Sequence, residues 1–324
     1  MKNIVTAAVL GTALCVSTPL LAADKSSDEV SMAQIMELLK NQQREIEALK
    51  KQLATTNKKV VLSEQKIEAT AETVESVATA SEGLAKIADW ADKTQIGGYG
   101  ELHYNDKNGS DNQVDAHRFV LFVEHEFTDN VRFFSEVELE HSIAGDGQNG
   151  EVELEQAYIE WDYTNNHSAT FGQFLIPVGL MNETHEPDAF YGVERNSVEK
   201  NIIPATWWEI GVMLGGEIAP GLSYDLAATS GLETPTSGKD AYLPRKGRQK
   251  GSKATAEDFA YTGRLKYTAI PGLELAATVM YQEDIAQGMG ADDASALLWE
   301  AHVAYQKGGF GLRALYAMWD IDGD

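Results

Sequence analysis

Cysteine is almost missing from this sequence: the one thiol in 324 residues, Cys15, falls in the first twenty. A single thiol closes no intramolecular disulfide, which excludes a small secreted domain stapled by cystines. Positive charge is scarce as well. The 26 Lys and Arg face 50 Asp and Glu, a net charge of −24, so a nucleic-acid backbone is not an expected partner. Beyond the N-terminus nothing approaches the roughly 20 consecutive apolar residues of a helical membrane span. If the chain meets a membrane, it meets it with strands. Proline is absent from Met32 to Leu84, and Gly83 is the only glycine there, so nothing in that stretch breaks a helix.

The first residues, MKNIVTAAVLGTALCVSTPLLAADK, place Lys2 before an apolar run and small residues at Ala22 and Ala23. This is the pattern of a secretory signal peptide, residues 1–23, cleaved after Ala22 or Ala23. Leu14 stands before Cys15 where a lipoprotein signal wants a small residue, so no lipid anchor is expected there. A linker, 24–31, follows. From Met32 every seventh residue is apolar: Met32, Leu39, Ile46, Leu53, Val60, Ile67 and Val74. The other seam holds Ile35, Gln42, Leu49, Thr56, Ser63, Thr70, Val77 and Leu84 and is half polar. The spacing predicts an α-helical coiled coil over 32–86, with a trimer as the first expectation.

After about Gln95 the period drops to two. Eleven alternating segments follow, from IGGYGELHY to FGLRALYAMW, most of them about 10 residues long, the length of a tilted membrane strand. Short turns such as TDN, TNNH, APG, IPG and KGG alternate with long polar loops. This predicts an all-β antiparallel transmembrane β-barrel over 95–324 with short turns on the periplasmic side, which puts the coiled coil in the periplasm. One strand face is apolar (Phe119, Leu121, Val123; Val131, Phe133, Val137, Leu139). The opposite face, the expected lumen wall, carries Arg118, Glu124 and Glu126, then Arg132, Glu136, Glu138 and Glu140, then Arg264 and Lys266. In the fourth segment Glu151, Glu153 and Glu155 share parity with Ile159 and Trp161, which calls for a bulge or for initial residues that stand clear of the membrane.

The third long loop follows GQFLIP. Its acidic and polar residues, Glu183, His185, Glu186, Asp188, Glu194 and Arg195, make sense as a constriction folded into a water-filled pore. Three runs, LEQAYIEW at Leu154–Trp161, FGQFLIPVGL at Phe171–Leu180 and VERN at Val193–Asn196, resemble the core of the phosphate-selective porin O and P family. The resemblance implies a sixteen-strand trimeric barrel and a passive outer-membrane channel, not an enzyme. Two features depart from the family pattern. From Ile96 onward roughly 15 Lys and Arg stand against roughly 37 Asp and Glu, a field that repels small anions. The segments also number eleven where single-chain barrels have an even count, so this sequence is expected to be the first part of a longer chain.

The expected activity is therefore diffusion of small hydrophilic or ionic solutes. The alternatives are an anion-selective pore and a structural or adhesive barrel that does not conduct. The basic run at Arg245, Lys246, Arg248, Lys250 and Lys253 is expected at the mouth, solvated or drawing the phosphates of lipopolysaccharide. Contact of the coiled coil with peptidoglycan is a further possibility. HEPD at His185 lacks a second histidine at helical spacing, and Pro187 forbids the helix of a metalloprotease motif. No catalytic residue, metal or cofactor is expected.

Overall fold

The computed structural model describes residues 31–109, 111–288 and 293–323. The expected signal peptide and all but the last residue of the linker lie outside the described residues. The chain divides into two compact units, 1–82 and 83–324.

In the first unit one helix, α1, starts at Met32 and continues to Asp92, so it runs six residues beyond the expected end at 86. Every residue from 32 to 82 is exposed, and Leu39, Ile46 and Leu53 of the apolar seam have no cover. Among the described residues no helix is long and apolar enough to cross a membrane.

In the second unit eleven strands form one antiparallel sheet in sequence order. They are β1 (Thr94–Asn105), β2 (Gln113–Thr128), β3 (Val131–Glu140), β4 (Val152–Thr164), β5 (His167–Leu175), β6 (Trp208–Ala219), β7 (Leu222–Thr229), β8 (Ala260–Tyr267), β9 (Leu273–Gln282), β10 (Ala294–Lys307) and β11 (Phe310–Gly323). Each expected strand is present, because the alternation of apolar and polar residues commits each face to a different solvent. Short turns join β2 to β3, β4 to β5, β6 to β7, β8 to β9 and β10 to β11. The other five connections are long, and those at 176–207 and 230–259 are the longest. Among the described residues β1 and β11 each pair on one side only.

Phe119, Leu121, Val137, Phe171, Val212, Leu226, Tyr261, Leu265 and Trp299 leave one face of this sheet apolar and exposed. A patch of that extent on a soluble monomer is an aggregation liability, while in a bilayer it is the required outer surface. The packed core lies on the other face. Phe174, Ile176, Val178, Ile203, Trp207, Leu232, Met280 and Leu298 bury one another there, with Leu315 and Trp319 packed against them.

Two register shifts aim side chains at the core face. Glu136 pairs with Gln156 but Val137 with Leu154, which leaves Glu155 as the extra residue of a bulge. This is the irregularity that the parity of β4 calls for: Glu153 and Glu155 before it and Gln156, Tyr158 and Glu160 after it all turn to one side. The second shift pairs Glu101 with Arg118 and Leu102 with Ala116. Here His117 is the extra residue, next to Arg118.

Candidate functional site

The site grows from the motif that ends β5. Gly179 has φ +72°, and a Cβ built on it would sit 2.9 Å from Glu199 Oε1. Glycine therefore serves both the left-handed backbone and the close approach of a carboxylate. Glu199 is buried. Its Oε1 accepts the N–H groups of Leu180 and Met181, each at 2.7 Å, and its Oε2 accepts Asn196 Nδ2 at 2.9 Å. Asn196 Oδ1 in turn accepts the N–H groups of Val198 and Glu199. The GL of FGQFLIPVGL is thus tied to the Asn of VERN through one buried carboxylate. Asn182, fully buried, donates to the carbonyls of Ile176 and Trp207 and accepts the Trp207 N–H, closing the loop at its two ends.

Thus stapled, residues 176–207 lie across the core face of the sheet. Glu183 accepts a forked pair from Arg264 on β8. Thr278 on β9 donates to the Pro177 carbonyl at 3.4 Å, and Trp319 on β11 donates to the Ile202 carbonyl at 2.7 Å. On the other side His185 Nε2 stands 3.0 Å from Glu155 on β4 and 3.9 Å from Glu136 on β3. One loop can touch β3, β4, β8, β9 and β11 only if the sheet curves around it.

The fourth long loop, 230–259, folds in beside the third, and this splits the expected mouth cluster. Lys246 and Lys253 are exposed. Arg245 instead donates to the carbonyls of Lys200 and Ala205 at 2.9 and 2.8 Å, Arg248 donates to that of Thr206, and Lys250 reaches Glu151 and Glu153. One guanidinium nitrogen of each arginine satisfies loop carbonyls, a demand that composition does not reveal.

Between loops and wall lies a cavity of about 330 Å³ with two unlike sides. The strand side and its flank are mainly acidic, with Glu138, Glu140, Glu151, Glu153 and Glu155 beside Arg118; the loops are mainly basic, with Arg195, Lys200, Arg245, Arg248 and Lys250 beside Glu194. Among the described residues Arg195, Arg245 and Arg248 pair with no carboxylate. Burial pushes all three guanidiniums down, Arg248 to about 10 with neighbouring Arg245 adding to the effect. Burial also works to lower His185, but Glu155 and Glu136 outweigh it and hold the imidazole above its ordinary value.

Three of the inward arginines of the strands are each held by two carboxylates, while Arg313 on β11 donates to the Ala189 carbonyl of the loop. Arg118 lies between Glu101 and Glu138, Arg132 between Glu160 and Asp162, and Arg264 between Asp225 and Glu183. Lys266 stands on the same face of β8 as Arg264, and Glu124 and Glu126 stand near the turn end of β2, Glu126 exposed. In the loop Glu186 is half-buried, Asp188 is exposed, and Glu194 pairs with Lys200 at 3.2 Å. Sequence reasoning missed Asn182, Asn196 and Glu199, which build the loop. The VERN run and its spacing from the GL were the available signal.

Long antiparallel strands, alternating short and long connections, one bare apolar face and charged loops packed on the other define the porin class. The family model for phosphate-selective porin O and P matches residues 94–318, and the chain belongs to that family. An uncharacterised protein of Aquifex aeolicus (strain VF5) is 34% identical over 230 residues, covering 70% of this chain and 50% of that protein. The chain thus spans about half the length of the curated relative it matches. Among solved structures, the trimer form of OmpT, an outer-membrane protein of Vibrio cholerae, is 11% identical with a TM-score of 0.38, covering 72% of this chain and 79% of that one. The outer-membrane channel DcaP of Acinetobacter baumannii is 15% identical with a TM-score of 0.36, covering 72% and 80%. Scores of this size carry no argument about function.

Proposed function

We propose that this porin is a passive outer-membrane channel for small hydrophilic or ionic solutes, without an enzymatic step. Its sheet forms part of a closed barrel, since in lipid the free edges of β1 and β11 would leave backbone groups unpaired. The observation that carries the reading is the loop 176–207, pinned to five strands on the charged face, where it narrows whatever passes along that face. Selectivity is set by the two-sided cavity. Because Arg118, Arg132 and Arg264 are neutralised in place and the second unit is acidic overall, cations are favoured.

The test is the reversal potential of the full-length protein in a planar bilayer under a potassium chloride gradient. A cation-selective conductance is expected. An anion preference would overturn the charge assignment, and no conductance at all would sink the channel reading. One observation favours the anion-selective alternative: Arg195, Arg245 and Arg248 face the cavity without a carboxylate partner.

The uncovered seam of α1 supports a periplasmic coiled coil that assembles three chains, with peptidoglycan beside it and lipopolysaccharide around the barrel. The native mass of the detergent-solubilised chain, with and without residues 32–86, tests the assembly role. A trimer that weakens or dissociates on deletion is expected, and an unchanged oligomer would refute it.

A further inference from the structure

Three of the seven histidines, 14 and 24 residues apart in sequence, meet at the end of the sheet that bears the long loops. His103 is on β1, His117 on β2, and His141 directly follows β3. The rings of His103 and His117 stack with centroids 4.0 Å apart, and His141 meets His117 edge-on at 5.5 Å. Asp115 Oδ2 lies 2.8 Å from His141 Nδ1 and 3.3 Å from His117 Nδ1. On the other side of the stack His103 Nε2 lies 2.6 Å from Glu101 Oε1, and the second oxygen of Glu101 is taken by Arg118.

Two backbone irregularities produce this meeting. His117 turns inward only because it is the extra residue of the bulge between β1 and β2. His141 and Ser142 hold the left-handed backbone, φ +51° and +61°, a conformation that non-glycine residues adopt at some cost and that clusters at functional positions. Both devices aim imidazoles at one carboxylate.

We propose that Asp115, His117 and His141 form a binding site for a first-row transition-metal dication of the zinc, nickel or copper kind. One ligand atom from each falls within 4.8 Å of the others. Metal bonds of about 2.0–2.1 Å at tetrahedral angles place neighbouring ligands about 3.3 Å apart, which matches the spacing here. Two imidazoles and one carboxylate suit a borderline-soft ion better than calcium or magnesium, which take oxygen ligands. The side chains of Asp115, His117 and His141 are 28%, 27% and 34% exposed, so an ion has access and a fourth position stays open to water. Glu101, its charge already met by Arg118, and His103 support His117 from behind. His117 also lines the cavity beneath the loops. On the channel reading above, on which this role rests, the site collects dications at the outer mouth.

The test uses the full-length, chelator-stripped protein in detergent, titrated with zinc(II) by calorimetry and with copper(II) followed by electron paramagnetic resonance. One ion per chain with nitrogen coordination is expected. His117→Ala with His141→Ala should weaken zinc binding at least about tenfold, since even outer-shell losses reach that size. The single variant His141→Gln, at a half-exposed position, should weaken it while leaving the fold intact. His185→Gln should leave it unchanged. Binding as tight in the double variant as in the native chain would overturn the site. Loss of binding in His185→Gln would overturn it too, by moving the ion to the buried Glu136, Glu155 and His185 cluster. Zinc binding by a chain that conducts nothing would keep the site and overturn its role in uptake.

Discussion

Glu199→Ala is expected to raise single-channel conductance at least about twofold and to expose residues 176–207 to proteolysis. Glu199 is the acceptor for two N–H groups, that of the half-buried Leu180 and that of the buried Met181, and it holds Asn196 Nδ2 as well. Alanine leaves both N–H groups without their carboxylate partner, the Met181 N–H in a buried position. At about 1–3 kcal/mol for the buried Met181 N–H, and less for that of Leu180, the loop loses a substantial part of its anchoring. The strands do not depend on that anchor, because each is paired to its neighbours along its length. Heat-modified migration on a gel should therefore remain that of a folded barrel. Glu199→Gln separates chemistry from bulk. Its amide oxygen still accepts the two N–H groups, but its NH2 then faces the Asn196 NH2, donor to donor. An intermediate conductance is expected. A Glu199→Ala channel with native conductance and native protease resistance would show that the loop is not the constriction.

The strands were legible in the sequence because alternation is a local signal that both solvents enforce. Even the bulge in β4 was one of two readings the sequence offered, since Glu151, Glu153 and Glu155 share parity with the apolar Ile159 and Trp161 and an inserted residue puts the two groups on opposite faces. The inward course of 176–207 was expected from its polarity and its place in the chain, but the contacts that fix it were not readable. It is decided by bonds between residues far apart in sequence, such as Glu183 to Arg264 and Ile202 to Trp319, and by the buried Asn182 and Glu199, which resemble ordinary polar loop residues. The basic run misled for a related reason. Charge density in a loop suggests solvent, but Arg245 and Arg248 are consumed by carbonyls of the neighbouring loop. His103, His117 and His141 stand singly in the sequence. Their meeting depends on strand order, and for His117 on a register shift that its own segment does not announce.

The electrostatic counterpart of the first prediction concerns the loop side of the cavity. Arg245→Ala with Arg248→Ala removes two of the five cations that face Glu138, Glu140, Glu151, Glu153 and Glu155 across about 330 Å³. Low-dielectric walls focus the field of the remaining carboxylates. The potassium-over-chloride permeability ratio should therefore rise about threefold or more, and most at low salt, where screening is weakest. Both arginines also brace the loop 176–207 through its carbonyls, so conductance can change for a steric reason alone. Lysine at both positions resolves the two effects. Arg245→Lys with Arg248→Lys keeps the charge but changes the reach and geometry by which Arg245 holds two carbonyls and Arg248 one. If the field governs selectivity, the lysine variant keeps the native permeability ratio even where its conductance shifts, and the alanine variant does not. Equal ratios in all three proteins would mean that ions pass elsewhere along the charged face, and that this cavity only anchors the loops.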